Sequence, residues 1–317
     1  MREYGFELAL CAHTERETGG VVARQLGTAV HGRRVMDVVR VEPGPDFAER
    51  AAVTADTIPP LAVESDLGPG RARDPATAFD CHPEAAEEAA EAGLECGFLE
   101  RERRNGRRLL RQTVRYPDGW FGDLLGVENK PDLARPGALE TQLLTDVHLA
   151  LLDRVVLATA SHVTGAHLNR IPDAVGVWEF DPATGEREVV REPDRLPTAQ
   201  PGVEIIDRSP TRTEVRVAAA DAKARARRRV AERAYGKGWR PAMPACARVD
   251  PDGDGLPYCP WHGRVVDPAR ECGPDCGGHD PADPPEVDRE RLRAARTPWE
   301  PDPDGRRRRQ SRLDRYR

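Results

Sequence analysis

The feature that most constrains this chain is one stretch, WFGDLLGVENKPDLARPGALETQLLTDVHLALLDRVVLATAS, from Trp120 to Ser161. An apolar rise from Phe121 to Val127 runs directly into Glu128-Asn129-Lys130. After a Pro-Gly loop, the apolar spacing predicts an amphipathic helix from about Ala138 to Leu152, and Val155-Val156-Leu157 then reads as a buried strand. Alternation along an extended chain places Glu128 and Lys130 on one face, about 6 to 7 Å apart. A carboxylate there can hold a hard divalent cation, and an ammonium beside it can position a water or steady a phosphate. The same residues also fit an exposed strand with an ion pair of little worth. Lysine usage separates the two readings. Of 48 Lys+Arg residues only three are lysines, Lys130, Lys223 and Lys237. A lysine beside Glu128 in so arginine-rich a chain marks a place that needs a compact point charge rather than a planar fork.

A chain of 317 residues, 38% hydrophobic and 32% charged, has room for two or three modest domains with polar connections. No apolar run approaches a membrane span, and MREYGFELAL lacks a signal-peptide pattern, so the expected location is cytoplasmic with no membrane partner. A net charge of -6 means that any nucleic-acid contact must come from local basic patches. Acid-rich, lysine-poor, arginine-rich usage resembles that of proteins from extreme salt-loving archaea.

Upstream, residues 2–16 read as a helix carrying Glu7. Val21–Leu26 and Arg34–Val41 read as a hairpin turning at His31-Gly32, with Asp37 inside the second strand. Aspartate is a poor strand former, so Asp37 is either a solvent-facing edge residue or a ligand. Residues 43–119 read as Pro- and Gly-rich loops, a helix starting at Pro83 and stopping near Gly97, and a basic hairpin centred on Asn105-Gly106. Helix followed by basic hairpin resembles the end of a winged-helix domain. The acids Glu84, Glu87, Glu88, Glu91 and Glu95 leave nucleic-acid contact to the hairpin arginines, and a protein partner is the alternative. Downstream, Val175–Phe180 and Glu186–Val190 predict a further hairpin, residues 191–217 a Pro-rich link, and residues 218–235 a basic helix.

Seven cysteines fall into two sets. Cys11, Cys81 and Cys96 are scattered. Cys246, Cys259, Cys272 and Cys276 are spaced Cys-x12-Cys-x12-Cys-x3-Cys within residues 241–282, with His262 and His279 nearby. In a chain expected to be cytoplasmic such a set reads as metal, zinc first and a four-iron four-sulfur cluster as the alternative. The PDGDG run at 251–255 lacks the terminal Glu of a calcium loop and reads as a turn. From 283 onward the chain is a basic tail ending in RRRRQSRLDRYR, expected to be disordered and to meet nucleic acid or acidic partners.

Helix with Glu7, hairpin with Asp37, strand with Glu128-x-Lys130, helix with Gln142, then a strand: this order resembles the PD-(D/E)xK nuclease superfamily, and Gln142 resembles the helix glutamine of its RecB-like branch. The chain as a whole also resembles an uncharacterised family from salt-loving archaea. The nuclease resemblance implies a restriction-endonuclease-like α/β fold, a mixed sheet flanked by helices, built from residues 1–42 and 120–190. The insertion at 43–119 would interrupt that core, a linker and basic helix at 191–240 would follow it, and the cysteine module would come last. It further implies a Mg2+- or Mn2+-dependent DNA or RNA nuclease. Asp37 and Glu128 would hold the cation, Lys130 would position the attacking water, and Glu7 and Gln142 would assist. Asp123, five residues before Glu128, is a competing aspartate. A non-catalytic nucleic-acid-binding or assembly protein with a nuclease-like core is the other class.

Overall fold

A computed structural model of the protein describes residues 3–135, 137–209 and 211–305. The chain opens with α1 (Glu3–Thr18) and the strands β1 (Val21–Gly27) and β2 (Val35–Pro43). Four helices follow, α2 (Phe47–Ala51), α3 (Pro60–Glu64), α4 (Pro75–Ala78) and α5 (Pro83–Glu95), then β3 (Leu99–Arg104) and β4 (Arg107–Gln112). Next come β5 (Phe121–Asn129), α6 (Leu139–Leu149), β6 (Arg154–Thr159), a one-turn α7 (Gly165–Leu168), β7 (Gly176–Asp181) and β8 (Glu186–Arg191). The remainder is β9 (Gly202–Arg208), β10 (Thr213–Ala218), α8 (Ala220–Lys237), the short strands β11 (Asp250–Pro251), β12 (Pro257–Cys259) and β13 (Arg264–Val265), α9 (Pro268–Glu271) and α10 (Arg289–Arg296). Two compact units result: residues up to Glu42 join Gly122–Thr297, and Pro43–Phe121 joins the residues after Thr297. The arginine-rich segment 306–317 lies outside the described residues.

In the first unit a six-stranded mixed sheet runs in the order β1-β2-β5-β6-β7-β8. β1/β2 and β7/β8 are antiparallel hairpins, whereas β5, β6 and β7 are parallel neighbours. Parallel strands cannot be joined by a tight turn, so β5 returns to β6 through α6. That crossover sets Glu128 opposite Leu157 and Asn129 opposite Ala158. α1 covers one face of the sheet. Phe6, Leu8 and Leu10 pack on Val22, Val38, Leu125, Val127, Val156, Trp178 and Phe180, and each fully buried side chain of this kind stabilises by about 1.5–3 kcal/mol. On the same strand Gly126 permits a close approach, since a Cβ there would stand 2.3 Å from Leu152 Cδ1.

Three sequence expectations need correction. The tail expected to be disordered from 283 contains α10, whose buried Arg293 donates to the Ala234 and Tyr235 carbonyls of α8. α6 stops at Leu149 rather than near Leu152, because Ala150 takes a left-handed conformation (φ 48°). That turn releases Leu151 and Leu152 into the core. Residues 191–217 are not a plain link: they contain the β9–β10 hairpin, whose strand β9 lies against α6. Its Glu204, 1% exposed, accepts backbone N–H bonds from Val30, His31 and Gly32 at 2.7–3.1 Å and so pins the β1–β2 turn. The strand alternation of Val203–Ile206 and Thr213–Val217 was present in the sequence, but the surrounding prolines outweighed it.

The second unit is a set of short helices with one two-stranded hairpin. α5 starts where Pro83 sits in its first turn and the His82 side chain accepts the Glu84 N–H. Asn105 and Gly106 take φ of 51° and 76°, the two positive values that a type I′ turn needs, and Arg104 pairs with Arg107 across it. Among the described residues no helix is long and apolar enough to cross a membrane.

Candidate functional site

Of the predicted residues, Glu7, Asp37 and Glu128 lie around the end of β5. Strand alternation divides them between two polar clusters. On the α1 side, Glu7, 4% exposed, receives the Arg24 guanidinium at 2.6 Å and the Gln25 amide at 3.0 Å. The Asn129 amide reaches the same carboxylate at 3.4 Å. Asp37, half-buried, accepts the other arm of the Gln25 amide at 3.0 Å and the Asn129 backbone N–H at 2.9 Å. Gln25 is thus a bridge between Glu7 and Asp37. It sits at φ 53° in the middle of β1, an unusual conformation for a side chain of its size, and the Lys237 ammonium holds its carbonyl and that of Arg24. Glu7, Arg24, Gln25 and Asp37 line a cavity of about 730 Å³, whose far wall includes Pro241, Asp267 and Arg270.

The second cluster faces α6. Glu128, 5% exposed, receives Arg34 Nη2 at 2.6 Å, and the same guanidinium grips Asp146 through Nε and Nη2 at 3.0 and 2.7 Å. Gln142 lies one helical turn before Asp146 and is half-buried. Lys130, half-buried, follows the last residue of β5 and donates its backbone N–H to Ala158 O at 2.8 Å.

Electrostatics couples the clusters. Burial pushes the Glu128 carboxyl up to about 7; Arg34 opposes the rise and the Asp37 charge adds to it. Asp37, Glu7 and Asp146 are all raised as well, burial being the largest cause each time. Hydrogen bonds from Asn129 and Gln25 moderate the effect at Asp37, Arg24 moderates it at Glu7, and Arg34 at Asp146. The site therefore sets four carboxyl groups against two guanidinium groups and the Lys237 ammonium in partly desolvated surroundings. Among the described residues no three His, Cys, Asp or Glu side chains form a closed ligand set for one ion.

Asp123, the competing aspartate, is excluded from the site by its partners. Its carboxylate takes Arg154 and both arms of Arg195, and although burial works against them these contacts hold it below the usual carboxylate range. The residues that sequence reasoning did not select are Arg24, Gln25, Arg34, Asn129 and Asp146. Only Asp146 left a trace, since it falls on the Gln142 face of the predicted helix; the others act through long-range contacts.

The basic hairpin also differs from its expectation. Arg108 pairs with Glu87 and Glu91, Arg101 with Glu91, Arg111 with Glu100, and Arg104 with Glu102. Acids of α5 and of β3 itself therefore neutralise much of the hairpin, and Arg103 and Arg107 near its tip are its exposed cations without an ion pair among the described residues.

In the C-terminal module Cys246, Cys259, Val249 and Val266 form a buried cluster on which Cys272 and Met243 pack. Cys276 Sγ lies 3.4 Å from His262 Nε2. The PDGDG run is a turn, as read: Asp252 accepts the N–H groups of Asp254 and Leu256.

No curated protein and no solved structure matches the chain. A family profile described as a family of unknown function (DUF5787) matches residues 21–281, from β1 through the four clustered cysteines. With most of its length covered, the chain belongs to the DUF5787 family.

Proposed function

We propose that this protein is a metal-dependent phosphodiesterase acting on nucleic acid, with its site at the end of β5. One observation carries the reading: Glu7 and Asp37 in one cluster and Glu128 and Asp146 in the next stand in partly desolvated surroundings against Arg24, Arg34 and Lys237, and their carboxyl groups are all raised. A divalent cation relieves that strain. Supporting it is the order helix, hairpin, strand, helix, strand around the site, which is the order of the nuclease core that the sequence resembles.

Asp37 and Glu128 are the residues that would hold the ion. Magnesium takes one or two carboxylates and completes its shell with water and substrate phosphate, so a pair of acids suits it without a third side chain. When bound, the ion supplies charge neutralisation at a phosphate and a water of lowered pKa. The chain does the rest. Gln25 and the Asn129 backbone N–H hold the Asp37 carboxylate in place. Lys130, on the face of Glu128 by alternation, steadies charge on the phosphate oxygens. Glu7 and Gln142 stand in support from α1 and α6. The inserted winged-helix-like unit would bring nucleic acid through Arg103 and Arg107.

Arg34 favours a second reading. Its guanidinium already neutralises Glu128, as expected of a nuclease-like core that binds nucleic acid, or assembles with another protein, without cutting. The test is Mg2+ and Mn2+ titration by calorimetry, beside cleavage of single- and double-stranded DNA in high salt with metal or chelator. Binding lost in Asp37→Asn and Glu128→Gln but kept in Lys130→Ala, with cleavage lost in all three, supports the catalytic reading. Cleavage that survives Glu128→Gln and Lys130→Ala overturns it, and metal binding without any cleavage transfers the site to the non-catalytic one.

A further inference from the structure

We propose that Cys246, Cys259, Cys272 and Cys276 bind one zinc ion that holds the C-terminal module together. The site is separate from the carboxylate cluster and stands or falls without the phosphodiesterase reading.

Three observations carry it. First, the backbone brings Cys246 and Cys259 into one buried cluster on which Cys272 packs, and carries the segment after Cys276 back to Cys246. Cys246 forms an isolated bridge with Pro281, and Ala247 N–H reaches Asp280 O at 2.8 Å, so the first cysteine lies beside the segment that follows the last. Cys259 ends β12, the middle strand of the three-stranded sheet β11-β12-β13. Two tight turns then present the ligands: His262 N–H returns to Cys259 O at 3.1 Å, and Cys276 N–H returns to Gly273 O at 3.0 Å.

Second, sulfur stands where this module would otherwise need hydrocarbon. Its buried cluster is two valines and two cysteines, and what packs against it is a methionine and a third cysteine. So small a core contributes little by apolar burial, and a module of this size is commonly held by a metal. All four thiols are free, which leaves them available as ligands.

Third, Cys276 Sγ and His262 Nε2 are 3.4 Å apart. In a tetrahedral zinc site a sulfur and a nitrogen ligand stand about 3.6 Å apart, and a ring N–H bonded to a zinc thiolate gives a similar separation. With four cysteines present, His262 takes the second role and steadies the Cys276 thiolate. Among the described residues the sulfurs form no closed ligand set, so the ion would draw them together. Zinc binding deprotonates them, so four Cys-SH and one Zn2+ give a Zn(S-Cys)4 centre and four released protons.

The experiment measures metal in the full chain, purified under reducing conditions without added metal. About one zinc per chain is expected, retained in Cys11→Ser/Cys96→Ser and in His262→Gln, and lost in Cys259→Ser/Cys272→Ser. Because the last variant can unfold, the wild-type chain is also titrated with a thiol-specific mercurial beside a zinc-sensitive dye. Release of one zinc as four thiols are consumed supports the proposal, as does a thermal midpoint that chelator lowers and zinc restores. No zinc in the purified chain with none taken up on titration, zinc retained in a folded Cys259→Ser/Cys272→Ser variant, or iron with a visible absorption band in place of zinc overturns it.

Discussion

Replacing Arg34 with methionine tests how the carboxylate cluster is held. The substitution keeps an unbranched apolar stem but deletes a guanidinium that is 8% exposed and bonded to Glu128 and Asp146, themselves 7% and 3% exposed in their side chains. Removing one partner of a buried ion pair costs about 3–5 kcal/mol, because the remaining charge has no compensation. In a folding unit of this size each kcal/mol moves the thermal midpoint by about 2–4 °C, so a loss of roughly 6–20 °C is expected at pH 8. The cost depends on pH in a definite sense. Arg34 pulls Glu128 and Asp146 down against burial, so without it both carboxyl groups rise further above their unfolded values. A group whose folded pKa is raised contributes stability that is present below its unfolded pKa and is lost as pH rises through the folded one. The deficit of Arg34→Met should therefore be small near pH 2.5, where both carboxyls are protonated in either state, and full at pH 8. Adding Glu128→Gln and Asp146→Asn should recover most of it. The assay is thermal unfolding followed by circular dichroism across that range. A deficit equal at both ends would mean lost packing alone, and no deficit at pH 8 would refute the account of the cluster.

Glu128→Gln should flatten the pH dependence of the wild-type protein. A carboxyl raised from 4.5 to about 7 withdraws roughly 3 kcal/mol of stability as pH rises through that window, and urea midpoints at pH 5 and pH 8 should lie closer together in the variant. An unchanged difference would remove Glu128 as its source. In the hairpin, Arg108→Ser should cost no more than about 1–2 kcal/mol, since its pairs with Glu87 and Glu91 are partly solvated. Arg103→Ser/Arg107→Ser should leave stability alone, weaken nucleic-acid binding and lower its salt slope by about 2; equal binding by both chains in a salt series would assign the hairpin to a protein partner.

What the sequence determined by itself was whatever short-range chemistry controls. Pro83 and Gly97 bound α5, Asn105-Gly106 imposes a hairpin whatever surrounds it, and alternation and apolar period locate β5, α6, β6 and the β7–β8 hairpin. The sheet neighbours β2 and β5, and with them Asp37 beside Asn129, depended on residues about ninety positions apart, where no local signal acts. The tertiary structure alone decided which charges meet. Glu128 finds Arg34 across 94 residues, Glu204 finds the β1–β2 turn across more than 170, and Asp123 is taken by Arg195 rather than by the site. Of the hairpin arginines expected to meet phosphate, Arg101 and Arg108 are matched by acids of α5, and Arg104 and Arg111 by Glu102 and Glu100 of β3. The physical reason is the range of each effect. Turn and helix signals act over a few bonds and are written locally, whereas an ion pair depends on distance in space and on burial, and both exist only after the sheet has assembled.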